Sequence, residues 1–124
     1  MRAILAYQEN RVTTQTPGRV VVMLYEGAIK FLKQAIGELE DGKFIEKGKS
    51  ISRAVDIIQE LNVTLNMEAG GEIAQNLRQL YTFMLESLFK ANIKKDPEMI
   101  RETIGLLEGL NDGWKAVATG KTEE

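Results

Sequence analysis

Residues 20–32 read Val20-Val21-Val22-Met23-Leu24-Tyr25-Glu26-Gly27-Ala28-Ile29-Lys30-Phe31-Leu32. At about 100° per residue, the apolar side chains of this run span an arc of roughly 260° on a helix. Glu26 and Lys30 mark the polar side. The three consecutive valines would suit a strand, but apolar spacing continues through Ile36, too far for one strand, so the run reads as helix. A helix at the edge of a small bundle needs an apolar stripe little wider than about 100°. This helix carries more, and whatever covers the excess bears directly on function.

Working outward, the helix opens at Thr16-Pro17. Thr is a good N-cap, and Pro suits the first helical position, where its missing N–H has no partner to lose. The pattern runs to about Glu40 and stops at Asp41-Gly42. A second helix is predicted from about Phe44 to Met67, with Ile51, Ala54, Val55, Ile57, Ile58, Leu61 and Leu65 as its stripe and Ala69-Gly70-Gly71 as the break. A third is predicted from about Glu72 to Ala91, with Ile73, Leu77, Leu80, Tyr81, Met84, Leu85 and Leu88 inward. The fourth opens at Asp96-Pro97 and reaches about Val117, with Ile100, Ile104, Leu107, Leu110, Trp114 and Val117 inward. Short connections force sequential helices to run antiparallel. The predicted fold is therefore all-α, an antiparallel up-down-up-down four-helix bundle over residues 16–118. Residues 1–15 form a mobile N-terminal capping segment in this reading, and 119–124 a polar disordered tail.

Composition removes most chemistry. There is no His and no Cys among the 124 residues. The commonest general base and the commonest metal ligand are thus absent, together with thiol chemistry. Glu-x-x-His pairs for a di-iron bundle are missing, and Gly70-Gly71 lacks the Lys and preceding strand of a phosphate loop. Arg53 and Arg78, in mid-helix beside apolar stripes, read as surface charges with buried stems. We expect no catalytic residue, no metal and no cofactor. Net charge is −2, from 16 basic and 18 acidic residues, without a basic block for nucleic acid. The N-terminus lacks the apolar core of a signal peptide, and no stretch approaches the ~20 residues of a membrane span. A cytoplasmic protein is expected.

Four features point to a partner. With Val21, Leu24, Ala28, Phe31, Leu32 and Ala35 inward, Val22, Met23, Ile29 and Ile36 fall toward the sides or outside. Either the N-terminal segment or a central position covers them, or a partner does. Phe83 lies off the inward stripe of the third helix among Asn76, Gln79 and Ser87, a setting suited to holding an extended chain. Asn62 interrupts the second stripe with Asn66 one turn on, so each needs an internal bond, a helix-end bond or a ligand. Gly105, Gly109 and Gly113 align as a bare strip, expected to pack closely against a neighbouring helix or, failing that, against a bound peptide.

Taken in order, several segments resemble the flagellar secretion chaperone family, of the FliS type. They are Ala6-Tyr7 with Val12 five residues later, Thr16-Pro17, MLYEGAIKFL at 23–32 and ISRAVDIIQEL at 51–61. Thr64-Leu65-Asn66, GGEIAQNLRQLYTFM at 70–84, ANIKKD at 91–96 and the late Trp114 complete the set. The resemblance implies a four-helix bundle with an N-terminal cap that binds the disordered C-terminal region of flagellin. It implies that the chaperone prevents premature polymerisation and brings flagellin to a protein of the flagellar export gate. It assigns Tyr7 to a mobile N-terminal motif. It gives Met23, Leu24, Tyr25, Gly27, Asn62, Leu65 and Asn66 as groove lining, and Leu77, Leu80 and Tyr81 as lining that could equally be core. The glycine strip of the fourth helix is not among the family's features. Beside this reading stand a self-associating structural bundle, dimeric when free, and a small enzyme built from Arg and Glu.

Overall fold

The computed structural model describes residues 17–119. They form four helices: α1 (Pro17–Glu40), α2 (Phe44–Val63), α3 (Met67–Lys94) and α4 (Pro97–Thr119). The expected capping segment and tail lie outside the described residues.

The helix ends follow local chemistry. After α1 the chain reverses through Gly42 at φ 75°. Lys43 N–H donates to the Glu38 carbonyl at 2.8 Å and Gly42 N–H to the Leu39 carbonyl at 3.1 Å, the bond pair of a Schellman stop. The end of α3 uses the same device with Lys95 in the left-handed region, φ 55° and ψ 47°, and Asp96 N–H donating to the Ala91 carbonyl. Asp96 then caps α4, its Oδ1 accepting from Glu98 N–H at 3.0 Å.

The boundary between α2 and α3 differs from the sequence reading. α2 stops at Val63, and α3 starts at Met67 rather than Glu72. The reason is Asn66, whose Oδ1 accepts from Ala69 N–H at 2.9 Å and so caps a turn beginning before the glycine pair. The pair makes a kink instead of a break, with Gly71 at φ 52° and ψ −128° inside α3. A Cβ on Gly70 would sit 2.7 Å from the Ala74 Cβ. Gly71→Ala forces an L-residue into a glycine-only conformation and should cost about 1–3 kcal/mol. Gly37→Ala, at an open helical position with nothing within 4 Å of the added carbon, should stabilise by up to about 1 kcal/mol. Urea denaturation of both variants tests the contrast.

The helices form a ring in chain order. α1 packs against α2 and α4, and α3 against the same two helices. Antiparallel register shows in the cross-links. Along α1 and α4, Glu26 pairs with Lys115 (3.8 Å), Lys33 with Glu108 (3.3 Å) and Glu40 with Arg101 (3.1 Å). Between α2 and α3, Lys47 reaches Asn92 while Arg78 reaches Asn62. Ser50 Oγ donates to Glu38 Oε1 at 2.7 Å between α2 and α1. The exposed ion pairs set register and contribute little stability.

Burial in the centre includes Leu32, Ile58, Met84, Leu88, Ile100 and Leu107, all at zero exposure. One hydrogen bond crosses the ring's diagonal, between the hydroxyls of Tyr25 and Tyr81 at 2.5 Å. Ile73 and Val117, expected inward, are 71% and 56% exposed. They stand at the same end of the bundle, beyond the last residue of α2 and in the last turns of α4, where their stripes outrun the helices that would cover them.

Candidate partner-binding surface

The apolar excess of α1 is covered mainly by its neighbours. Val22 and Ile29, expected toward the sides or outside, are 4% and 9% exposed. α1 has α2 on one flank and α4 on the other, so two neighbours and the core consume the wide arc. Met23 and Ile36 are half-buried, as is Gly27, where an added Cβ would meet Ile57 Cδ1 at 3.3 Å. Leu24 and Tyr25 are buried, and so are Leu77 and Tyr81 of α3. Leu65 and Leu80 are half-buried. Tyr7 and Val12 lie outside the described residues.

The two asparagines have structural partners. Asn66 is the N-cap of α3, and Asn62 accepts from Arg78 Nε through its side chain and from Arg78 Nη2 through its carbonyl, both at 3.3 Å. Arg53 lies over the Phe31 ring at 5.7 Å. Both arginines thus serve packing at an exposed surface. Phe83 is exposed, as its sequence setting implied.

The glycine strip of α4 behaves otherwise than expected. Gly105, Gly109 and Gly113 are exposed, and a Cβ on any of them would meet nothing within 4 Å. The strip faces away from α1 and α3, because the inward positions Ile100, Ile104 and Leu107 occupy the opposite side of the helix.

Exposed large apolar side chains gather on α2 and α3. They include Phe44, Ile45 and Val63 on α2, with Ile73, Phe83, Phe89 and Ile93 on α3. Between these helices runs a groove of about 320 Å³. Ile51 and Leu88 make its floor; Val55, Leu85 and Phe89 form apolar walls, and Ser52, Asp56, Gln59 and Asn92 supply a polar rim. Phe89 is 68% exposed. Sequence reasoning missed it by ending the inward set of α3 at Leu88. The available signal was Phe89 and Ile93, which continue from Leu85 of that set at a spacing of four.

A larger groove of about 590 Å³ separates α1 from α4, but its walls are mostly charged. The Glu26–Lys115 and Lys33–Glu108 pairs straddle it, and Ile29 is the apolar member of its lining. By its lining residues the α2–α3 groove is the more apolar of the two. Near the far end of that groove, buried Lys47 donates its ammonium to both the carbonyl and Oδ1 of Asn92. Burial, and then the charge of Lys95, hold its pKa below the usual lysine value. Among the described residues no cluster of acidic side chains is arranged to hold a metal. Nor is any helix long and apolar enough to cross a membrane.

The family model described as flagellar protein FliS matches residues 1–121. The flagellar secretion chaperone FliS of Bacillus subtilis is 39% identical over 110 residues, covering 89% of this chain and 81% of its own length. The flagellar secretion chaperone FliS of Salmonella typhimurium is 38% identical over 111 residues, covering 89% and 82%. The flagellar secretion chaperone FliSB of Pseudomonas aeruginosa is 35% identical over 122 residues, covering 95% and 97%.

Proposed function

This chain belongs to the flagellar protein FliS family, and from that premise we propose that it holds the disordered C-terminal region of flagellin. Its role is that of a chaperone in flagellar export, not of an enzyme. In the cytoplasm it covers the amphipathic terminal segments of flagellin, prevents their premature polymerisation and brings them to the flagellar export gate.

The observation that carries this reading is the α2–α3 groove with Phe89 standing exposed on its wall. An amphipathic helix laid there buries its apolar face against Val55, Leu85 and Phe89, and its polar face meets the amide and hydroxyl rim. Leu65 lies near the end of the groove marked by Asn62 and Arg78. Phe83 and Leu80 lie on the other flank of α3 and receive an extended continuation of the same client. Met23 and Gly27 contribute the partly open edge of α1. The buried residues Val22, Leu24, Tyr25, Ile29, Leu77 and Tyr81 act from beneath, by holding these helices in place.

Burying three side chains such as those on the groove walls is worth roughly 4–9 kcal/mol gross, at about 1.5–3 each. Ordering a disordered segment costs on the order of 2–5 kcal/mol. The balance permits useful, reversible affinity without ATP. Calorimetry with a peptide copying the C-terminal segment of flagellin is expected to give one-to-one binding, gained helicity and a negative heat-capacity change. No heat and no gained helicity would remove the proposal. The exposed α3 face also supports a second reading, self-association through a two-fold contact. Sedimentation separates them, since a dimer that dissociates only on unfolding favours the second.

A further inference from the structure

Resting on the α2–α3 groove as the flagellin site, we infer that Asp56 sets a charge requirement on the client. The helix laid there must present a lysine or arginine beside its apolar stripe. Of the described residues lining the groove, Asp56 alone is charged. It is half-buried, and among the described residues its carboxylate forms neither an ion pair nor a side-chain hydrogen bond.

The neighbouring charges do not answer it. Arg53, one turn earlier on α2, lies over the Phe31 ring on the α1 flank. Lys47 and Arg78, at the two ends of the groove, bond Asn92 and Asn62. Lys49 on α2 and Lys90 on α3 are exposed, as is Glu86, while Glu60 is buried. With bases and acids both present, no net negative potential draws a cation in. Selection acts on contact.

Contact removes water from Asp56. Val55 stands beside it and Leu85 and Phe89 form the apolar walls, so a helix seated against them covers the carboxylate with nonpolar surface. A carboxylate that loses water without a counter-charge opposes binding strongly. Ser52 and Gln59, one turn to either side, offer only neutral groups. The lining on α2 runs from Ile51 to Gln59, about 12 Å of helix, with Asp56 inside that span. A client helix filling the groove passes Asp56 along its length. A side chain, and not a helix end, therefore meets the carboxylate.

Titration calorimetry of the full chain with the flagellin C-terminal peptide reads the sign. If Asp56 merely loses water, Asp56→Asn tightens binding. If it meets a cation, Asp56→Asn weakens binding, and a loss of about fivefold is expected. Replacing the peptide's lysines and arginines one at a time by glutamine should find one whose loss costs the same factor against the unaltered chain. Against Asp56→Asn that replacement should cost almost nothing, the mark of a direct pair. Binding that is tightened or unchanged by Asp56→Asn, or losses that simply add, overturns the requirement. Phe89→Asp separates this outcome from failure of the site itself. If Phe89→Asp weakens binding and Asp56→Asn does not, the groove holds flagellin without a charge requirement. If neither weakens it, the client lies elsewhere and the requirement falls with the groove.

Discussion

Phe89→Asp should weaken capture of the flagellin C-terminal peptide by roughly thirtyfold or more, while leaving the bundle's thermal unfolding nearly unaltered. The ring is 68% exposed on the groove wall, so little folding energy rests on it, and surface substitutions of this kind usually stay within about 0.5 kcal/mol. An aromatic anchor in an interface commonly contributes about 2 kcal/mol or more to binding. The aspartate also sets a charge beside Asp56, in a groove that must lose water when the client enters. Titration calorimetry of the variant, with denaturation as its control, reads both quantities. If affinity survives, the client does not use this groove. The comparison with Phe83→Asp locates the second contact, because Phe83 lies on the opposite flank of α3 and its loss should affect only the extended part of the client.

The second large effect concerns the buried tyrosine pair. Tyr25→Ala should destabilise the bundle by about 3–5 kcal/mol through the cavity alone. It also leaves the Tyr81 hydroxyl buried without its partner, which adds about 1–3 kcal/mol. A domain of this size has on the order of 5–15 kcal/mol to lose. Tyr25 has zero exposure and Tyr81 is 2% exposed. Their rings meet at 6.5 Å between centres, and Trp114 packs on Tyr25 at 6.2 Å, so the vacated space borders three of the four helices. Tyr25→Phe or Tyr81→Phe alone should cost about 1–3 kcal/mol, and the double variant much less than their sum, because neither oxygen is then orphaned. Urea titrations check the series; a loss below 1 kcal/mol for Tyr25→Ala would contradict the packing.

The same pair sets an alkaline limit. Burial raises both phenols above their ordinary value of 10.0, for Tyr25 against the lowering effect of its bond to Tyr81, and far more strongly for Tyr81. Below pH 10 both folded and unfolded chains keep these protons. Above it the unfolded chain releases them while the folded chain does not, so stability falls as pH rises. Lys47 acts in the opposite sense. Its folded value lies below 10.5, so the unfolded chain holds that proton longer and stability rises with pH up to about 10.5. Beyond that point the tyrosines act unopposed. Stability measured from pH 9 to 12 should therefore bend downward above about 10.5, and the Tyr25→Phe, Tyr81→Phe double variant should remove most of that bend.

The candidate site was only partly legible in the sequence. Phe83 stood out because an aromatic among amides breaks a helical pattern. Phe89 did not, because it adjoins the inward residue Leu88 and continues an apolar spacing that looked complete. Asn62 and Asn66 were visible as polar interruptions, but their partners, Arg78 sixteen residues away and Ala69 in the next turn, depend on how α2 turns into α3. The glycine strip misled for a related reason. Spacing shows that three glycines share a face, and nothing local says whether that face meets a helix or water.

Four helices, their direction and three of their ends follow from the chain itself. Pro17, Asp41-Gly42 and Asp96-Pro97 act through bonds and dihedral limits spanning a few residues, and apolar spacing makes each intervening segment helical. The family resemblance, too, rests on ordered motifs alone. Tertiary structure decided which apolar surface is left over. α1 has the widest apolar arc, yet α2 and α4 flank it and cover most of that arc, while α2 and α3 meet along an open seam that leaves Phe89 in solvent. An apolar arc measures how much surface seeks cover. Which neighbour supplies the cover is set by packing across the whole ring, and that information is held by no single helix.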